Sequence, residues 1–398
     1  MSTATESPGA TAPTPLVVSS GDASGDRIVE VLLSTIALPL AVPVSDAKVL
    51  TGRQKPMTEI PILVAEIRTA QGFSGMGFSY ATRGGGPAQF SHAVEVAPVL
   101  VGEDPNDIAK LALKLVWAGA SVGRSGVSSQ AIAAIDTALW DLKARRANLS
   151  LAKLIGSHRD ALPVYNSSGG YLHTPIEQVL DNAESSLARG IRGLKLKVGQ
   201  PDPRADIARV KALRERVGPD VPIMVDANQQ WDRVTAQRVC RALEEFRLTW
   251  IEEPLDAYDV AGHAALARSF DTPIATGEML TSVDEYWAYI RDGAVDILQP
   301  DVPRVGGITP FLDTMVLTAR AGMDIAPHFV MEIHVHLAAA YAAPVWVEHF
   351  EWLEPLFEER AVITVGTMVV PTGPGLGLTL TDQARQWTTA TERVTADF

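Results

Sequence analysis

From residue 162 onwards, short apolar runs alternate with amphipathic segments. The first two runs are LPVYN (162–166) and LKLKV (194–198), and residues 202–218 show the intervening pattern of apolar residues three and four positions apart. Further runs occur near 221–226, 248–252, 273–277, 295–299, 323–327 and 344–348. Counting all of them gives eight strands separated by helices. This alternation predicts an α/β fold, a (β/α)8 barrel of the TIM type.

The region before residue 162 has a different pattern. Residues 27–38 have the β-branched content of a strand, and 58–69 and 73–82 resemble a β-hairpin. Helices are expected over 104–117 and 128–146. Sheet followed by helices predicts an α+β domain. The expected organisation is a disordered tail, an α+β domain, a barrel domain and a C-terminal segment that packs back on the α+β domain, at 1–26, 27–160, 161–350 and 351–398.

Ionisable or polar residues end the successive predicted barrel strands at intervals of 20 to 29 residues. In chain order they are Lys197, Asp226, Glu252, Glu278, Asp301, His328 and Glu348. The carboxyl ends of parallel barrel strands face one shared mouth, where such barrels place their chemistry. The series therefore predicts a ring of catalytic side chains at that mouth.

Three consecutive strands end in Asp226, Glu252 and Glu278. Three converging oxygen ligands, with water or substrate completing the shell, suit octahedral Mg²⁺. Mn²⁺ could substitute, and the absence of a thiolate or a histidine pair argues against zinc. Each carboxylate could instead cap the following helix or pair with a surface cation. Three in succession at the barrel period favour the metal site.

Lys195 and Lys197 lie two positions apart, so a strand directs both side chains to the same side. On an edge strand such a pair would be solvated, but a closed barrel has no edge. Two ammonium groups near a divalent cation repel each other, and one is expected to have a lowered pKa. A neutral lysine in a partly desolvated site is a competent general base.

Asp301 and His328 end neighbouring strands. A carboxylate bonded to one imidazole nitrogen fixes the tautomer, which favours a proton-transfer dyad over a structural histidine. Glu348, if protonated in an apolar pocket, could donate a hydrogen bond to an enolate oxygen. Pairing of Glu348 with His349 or a lysine is an equal alternative.

Composition limits the partners. The 398 residues are 46% hydrophobic and 20% charged, as in a soluble globular protein, and no apolar run reaches membrane-spanning length. A net charge of −13 disfavours nucleic acid and anionic membranes. The single cysteine, Cys240, excludes an intrachain disulfide and fits the cytoplasm. A homo-oligomer is expected.

These motifs and their order resemble the enolase superfamily across residues 27–398. The K-x-K pair with the later Asp and His resembles its mandelate racemase subgroup. The resemblance implies a modified barrel under an α+β capping domain, and Mg²⁺-assisted removal of a proton α to a carboxylate. It implies Lys197 as the base, His328 as the acid and Glu348 as the enolate-side donor, with Mg²⁺ on Asp226, Glu252 and Glu278.

The resemblance also implies substrate contacts. Lys195 and Asn228 would contact the substrate carboxylate. The distal end would be held by two capping loops, 45–56 and 82–87, through Asp46, Ala47, Lys48, Thr82 and Arg83. The family pattern has Lys where this chain has Thr82, which can supply only a neutral hydrogen bond.

Cationic groups expected at both ends of the site favour a diacid, and the expected reaction is dehydration of a six-carbon aldarate. Two alternatives remain open at this point. One is a racemase, epimerase or dehydratase of another α-hydroxy acid. The other is a non-catalytic protein on the same scaffold, although every position of the ring is filled.

Overall fold

A computed structural model describes residues 25–396 of the chain. The predicted tail over 1–26 lies outside the described residues up to position 24. Asp26 is buried, and its carboxylate accepts a hydrogen bond from the backbone N–H of Gln71 over 2.9 Å. None of the helices within 25–396 combines the length and the apolar character that crossing a membrane requires.

The chain forms strands and helices throughout this range. The strands are β1 (Ile28–Val44), β2 (Met57–Thr69), β3 (Ser74–Tyr80), β4 (Ala161–Asn166), β5 (Gly193–Lys197), β6 (Ile223–Asp226), β7 (Trp250–Glu252), β8 (Ile274–Thr276), β9 (Ile297–Leu298), β10 (Asp324–Ile325), β11 (Val347–His349), β12 (Ile363–Thr364), β13 (Thr367–Val369) and β14 (Thr388–Thr395). The α-helices are α1 (Ala47–Leu50), α2 (Gly86–Val96), α3 (Ile108–Ala118), α4 (Val127–Arg146), α5 (Leu151–Ile155), α6 (Ile176–Ala188), α7 (Pro203–Val217), α8 (Arg233–Leu243), α9 (Val260–Ala267), α10 (Val283–Arg291), α11 (Val302–Val305), α12 (Ile308–Arg320), α13 (Met331–Ala340) and α14 (Asp382–Gln386). Short 3₁₀ turns occupy Ala97–Leu100, Ala120–Val122, Glu244–Phe246 and Glu351–Leu356.

The first domain is a four-stranded antiparallel sheet in the order β14-β1-β2-β3, covered by α4. Helix α4 approaches β3 closely because Gly75 and Gly77 lack side chains. A Cβ atom on Gly77 would lie 2.2 Å from the carbonyl oxygen of Ala134, and one on Gly75 would lie 2.3 Å from that of Ala138. Glycine at these two positions therefore permits the packing of helix on sheet.

The second domain is a closed parallel barrel. Strands β4 to β10 pair in chain order, the segment before β11 pairs with β10 through Val345 and Ile325, and β11 pairs with β4. α-Helices follow every barrel strand except β11, which leads into the 3₁₀ turn Glu351–Leu356. The predicted modified (β/α)8 barrel is confirmed.

Register places the functional residues side by side. Lys197 is paired with Asp226, and Asp226 is paired with Glu252, across three adjacent strands. The capping sheet packs over the same barrel, since Tyr80 of β3 shares a buried apolar cluster with Leu298. The last residue of β3 therefore lies near the mouth of the barrel.

Some local elements differ from the sequence predictions. The first capping loop, 45–56, contains the one-turn helix α1, because the Asp46 side chain accepts hydrogen bonds from the N–H groups of Lys48 and Val49. The helix expected from residue 104 begins at Ile108. Within the C-terminal segment, β14 pairs with β1 of the first domain.

Candidate active site

Three carboxylates converge at the mouth of the barrel. Asp226, Glu252 and Glu278 are buried, and one oxygen from each lies within 4.8 Å of the others. We call these residues the carboxylate cluster. Asp226 and Glu252 are the last residues of β6 and β7, while Glu278 stands two residues beyond β8. The barrel register thus brings together residues that are far apart in sequence.

The carboxylate cluster has the properties of a site for a hard cation. Glu278 Oε2 is buried without a hydrogen-bond partner, although His328 Nε2 lies 3.4 Å from it. Burial and the neighbouring Asp226 raise the pKa of Glu252 to about 8. A buried group of carboxylate oxygens that includes an oxygen without a hydrogen-bond partner fits Mg²⁺ or Mn²⁺.

Both lysines of β5 reach this cluster. Lys195 Nζ lies 2.9 Å from Glu252 Oε1 and 2.7 Å from Glu348 Oε1, and its side chain is buried. Lys197 donates a hydrogen bond to Asp226 Oδ2. Burial is the largest single influence and lowers the pKa of Lys197, but Asp226, Glu278 and Glu252 together raise it by more, so the net shift is upward. In this arrangement each ammonium is paired with an anion. The lowered pKa expected for one lysine concerns the site with a divalent cation bound, and it stays a prediction.

The predicted pair Asp301 and His328 is formed, and we call it the dyad. His328 Nδ1 lies 2.8 Å from Asp301 Oδ2. Burial lowers the pKa of His328, but Glu278 and the hydrogen bond to Asp301 raise it by more, to about 9. These contacts favour the protonated imidazolium, and Nε2 is directed toward the carboxylate cluster. A ring in this state can donate a proton.

Glu348 lies between Lys195, which contacts the carboxylate cluster, and the segment that carries His328 of the dyad. It accepts hydrogen bonds from Ser167 Oγ and the Phe329 backbone N–H, and it pairs with Lys195. Burial raises the pKa of Glu348, but Lys195 and His328 lower it by more, to about 2. These contacts favour the ionised carboxylate, so its role as a protonated donor stays a prediction.

A cavity of about 220 Å³ opens above the mouth. It is lined from the barrel side by Lys197, Asn228, Glu278 and His328, and from the capping side by Asp46, Lys48, Thr82 and Arg83. Ala47 is buried at the start of α1 and does not line the cavity.

Several predicted substrate contacts already have protein partners. Arg83 Nη2 lies 2.9 Å from Asp46 Oδ2, and Arg83 Nε donates to the carbonyl oxygen of Lys55 over 3.1 Å. This ion pair joins the two capping loops. Asn228 donates through its backbone N–H to Asp226 Oδ1 over 2.8 Å, so it is held beside the carboxylate cluster.

Sequence reasoning missed several residues of the site. Gln299 Nε2 and Trp250 Nε1 both donate to Glu252 Oε2, over 2.7 and 3.1 Å. Tyr80 and Arg304 line the cavity beside the dyad. Gln299 and Arg304 flank Asp301 in QPDVPR, which was the available signal. Tyr80 carried none, because an aromatic residue in a strand pattern is most simply a core residue.

Known proteins share this architecture. Residues 42–156 match the family described as mandelate racemase / muconate lactonizing enzyme, N-terminal domain, and residues 178–384 match the family described as enolase C-terminal domain-like. The L-talarate/galactarate dehydratase of Salmonella typhimurium is 60% identical over 368 residues, covering 92% of each chain. The arabinonate dehydratase of Saccharolobus solfataricus is 33% identical over 82% of this chain and 91% of the relative.

Solved structures agree in fold. The L-talarate dehydratase of Polaromonas sp. JS666, complexed with Mg and L-glucarate, superposes with a TM-score of 0.91 at 66% identity, covering 94% of this chain and 100% of that one. The Salmonella typhimurium L-talarate/galactarate dehydratase, liganded with Mg and L-lyxarohydroxamate, superposes with a TM-score of 0.94 at 57% identity, covering 99% and 100%. This chain therefore belongs to the mandelate racemase and muconate lactonizing enzyme family of the enolase superfamily.

Proposed function

We propose that the protein is a Mg²⁺-dependent hydro-lyase that dehydrates galactarate and L-talarate to a keto-deoxy-aldarate. The observation that carries this proposal is the cavity itself. On the barrel side it is lined by Lys197, by His328 and by Glu278 of the carboxylate cluster, which could hold a metal ion. On the capping side it is lined by two cations, Lys48 and Arg83. The 60% identity to a dehydratase of these substrates supports the same assignment.

Asp226, Glu252 and Glu278 would hold the metal, with Mn²⁺ as a substitute. When bound, Mg²⁺ supplies Lewis-acid stabilisation to the negative charge that develops on the substrate carboxylate. Lys195, buried beside Glu252, and Asn228 would bind that same carboxylate end. This arrangement would bring the α-carbon within reach of the groups that line the cavity.

Lys197 would remove the α-proton, and the electron pair of the C–H bond forms an enediolate. His328 would then donate its proton to the β-hydroxyl group as the C–O bond breaks, so that water leaves. The resulting enol tautomerises to the keto-deoxy product. Asp301 would keep His328 protonated and oriented through the 2.8 Å contact to Nδ1. Glu348 would complete the enolate-side contacts.

Lys197 ends strand β5 and His328 follows strand β10, and these strands are three positions apart around the closed barrel. Because two proton-transfer groups line one cavity, the enediolate can also be reprotonated at carbon. Minor epimerisation is therefore expected beside dehydration. A non-catalytic role is not supported, since every position of the ring carries a competent side chain.

The distal carboxylate would be held by Lys48 and Arg83, together with Asp46, the backbone at Ala47 and the neutral hydroxyl of Thr82. A substrate carboxylate that moved from water into the cavity without a cationic partner would lose solvation free energy on the order of several kcal/mol. These cations are therefore the basis for preferring a diacid. A cytoplasmic location, consistent with a single buried cysteine, and a homo-oligomeric state stay predictions.

A panel of acid sugars tests the proposal. The purified protein with Mg²⁺ should form keto acid from galactarate and L-talarate, and should turn over galactonate, which lacks the distal carboxylate, much more slowly. Keto-acid formation from galactonate alone, or from none of these substrates, would refute the assignment.

A further inference from the structure

A chain of hydrogen bonds connects the capping domain to the dyad. Tyr80 is the last residue of β3, is 1% exposed, and places its hydroxyl 2.7 Å from Asp301 Oδ2. The same hydroxyl lies 3.5 Å from His328 Nδ1. Arg304 Nε donates to the Tyr80 hydroxyl oxygen over 3.4 Å. The dyad is thus completed by a residue from the other domain.

The donor and acceptor properties of these groups fix the direction of each hydrogen bond. A guanidinium N–H can only donate, so the Tyr80 oxygen is the acceptor toward Arg304. The single hydroxyl proton of Tyr80 is then donated to Asp301 Oδ2, which as a carboxylate oxygen can only accept. Asp301 Oδ2 accepts a second hydrogen bond from His328 Nδ1. His328 must therefore carry a proton on Nδ1, and Nε2 is left as the nitrogen that exchanges a proton with the cavity.

Packing holds these partners in place. The Arg304 guanidinium lies 5.4 Å from the centre of the Tyr80 ring, and the Phe329 ring packs edge-on against Tyr80 at 4.9 Å. Asp301 caps α11, where Oδ1 accepts from the Arg304 backbone N–H over 3.1 Å. Both oxygens of the carboxylate are occupied, so rotation of Asp301 would break at least one hydrogen bond.

We propose that Tyr80, oriented by Arg304, is a positioning residue that fixes Asp301 and thereby the tautomer and aim of His328. The proposal rests on the proposed function, in which His328 is the acid of the elimination step. The capping domain would then serve two purposes, since it covers the substrate and also completes the acid on the barrel. None of the hydrogen bonds that link Arg304, Tyr80 and the dyad involves Lys197, so proton abstraction should not depend on Tyr80.

The test measures two reactions of galactarate in D₂O with the Mg²⁺-loaded protein. One is keto-acid formation, and the other is deuterium incorporation at the α-carbon of recovered substrate. Tyr80→Phe removes the hydroxyl and keeps the ring. Loss of one hydrogen bond to a charged group should lower the kcat of dehydration about tenfold or more, with little change in KM. Exchange should persist, so the ratio of exchange to dehydration should rise by a similar factor.

Tyr289→Phe is the matched control. Tyr289 is also 1% exposed and donates its hydroxyl to a backbone carbonyl, that of Ala257, over 2.7 Å, away from the cavity. Its ratio should equal that of the wild type. Equal losses of exchange and dehydration in Tyr80→Phe, with an unchanged ratio, would mean a structural role only and would overturn the proposal.

A second variant keeps the test decisive if Tyr80→Phe fails to fold. Arg304→Lys retains the positive charge and loses the Nε donor that orients Tyr80. Its exchange-to-dehydration ratio should shift in the same direction, and a wild-type ratio would overturn the proposal. Failure of the wild-type protein to form keto acid would instead refute the proposed function, so the two failures are distinguishable.

Discussion

The barrel end and the capping end of the cavity are built differently. At the barrel end, Lys195, Asp226 and Glu252 have side chains that are 1% exposed or less and are tied to one another by ion pairs. At the capping end, the Arg83 and Asp46 side chains are 16% and 18% exposed and stand on loops. Removing one partner of a buried pair leaves an uncompensated charge, whereas an ion pair that is partly exposed to solvent contributes less to stability.

This difference in burial and ion pairing indicates separate roles for the two ends of the cavity. The buried, mutually paired groups have fixed positions, which proton transfer and metal binding require. The loop cations are free to exchange a protein partner for a substrate carboxylate, as substrate selection requires. Changes at the barrel end should therefore abolish chemistry, and changes at the capping end should alter which acid is used.

The largest effect is expected from loss of the metal. Excess EDTA, or the substitution Glu278→Gln, should raise the activation barrier by several kcal/mol. The rate of keto-acid formation should then fall on the order of a thousandfold or more. Added Mg²⁺ or Mn²⁺ should restore the chelated wild type but not Glu278→Gln. Circular dichroism should show an unchanged fold. Full activity in EDTA would contradict the role of the carboxylate cluster.

The next largest effect concerns the acid. His328→Asn should lower dehydration by roughly 10² to 10⁴-fold, the usual contribution of a general acid, while deuterium exchange at the α-carbon persists. The measurement is proton NMR of galactarate in D₂O alongside keto-acid formation. His334 is also buried, but its Nε2 accepts from the Val302 backbone N–H, so His334→Asn serves as a matched histidine control. Loss of exchange in His328→Asn, to the same degree as dehydration, would contradict the assigned division of roles.

At the capping end, Arg83→Ala should selectively impair the diacid. Loss of a charge-assisted hydrogen bond should lower kcat/KM for galactarate by about 10- to 150-fold, with a much smaller loss for galactonate. Arg53, exposed in the first capping loop, provides the matched control Arg53→Ala, which should behave like the wild type. Equal loss on both substrates would indicate that Arg83 only orders the loops through Asp46.

The last effect is on stability, not on activity, and concerns a buried carboxyl away from both ends. Glu332 of α13 has two buried oxygens without a hydrogen-bond partner among residues 25–396, and burial raises its pKa to about 8. A raised folded-state pKa gives stability that is present below the unfolded value of about 4.5 and is lost as pH rises toward 8. The wild type should therefore lose stability relative to Glu332→Gln across this window, by at most about 1.4 kcal/mol per pH unit. The measurement is the urea-unfolding midpoint of each protein as a function of pH. Midpoints that changed with pH by the same amount in both proteins would contradict this.

The barrel end could be predicted from sequence because its residues follow strand ends at a regular interval. Lys197, Asp226 and Glu252 end their strands, and pairing of adjacent strands brings them together whatever the loops do. The dyad follows from the same regularity. The upward pKa shift of Lys197 could not be predicted, because it depends on its ion pair with Asp226.

Contacts between the capping domain and the barrel could not be predicted from the sequence. Tyr80 has the pattern of a buried strand residue, and its hydroxyl gains significance only because the capping sheet packs over Asp301. Arg304 follows Asp301 by three residues, but the one-turn helix α11 that directs it toward Tyr80 is too short to be inferred from periodicity. The pairing of Arg83 with Asp46 likewise requires two loops to meet.

The most direct test of the account follows the α-proton. Galactarate is incubated with Mg²⁺ in D₂O with wild-type protein, with Lys197→Ala, and with the surface control Lys211→Ala. Wild type and Lys211→Ala should form keto acid, and Lys197→Ala should show neither keto acid nor deuterium at the α-carbon. Exchange or dehydration by Lys197→Ala at the wild-type rate would contradict the assignment of Lys197 as the base that begins the reaction.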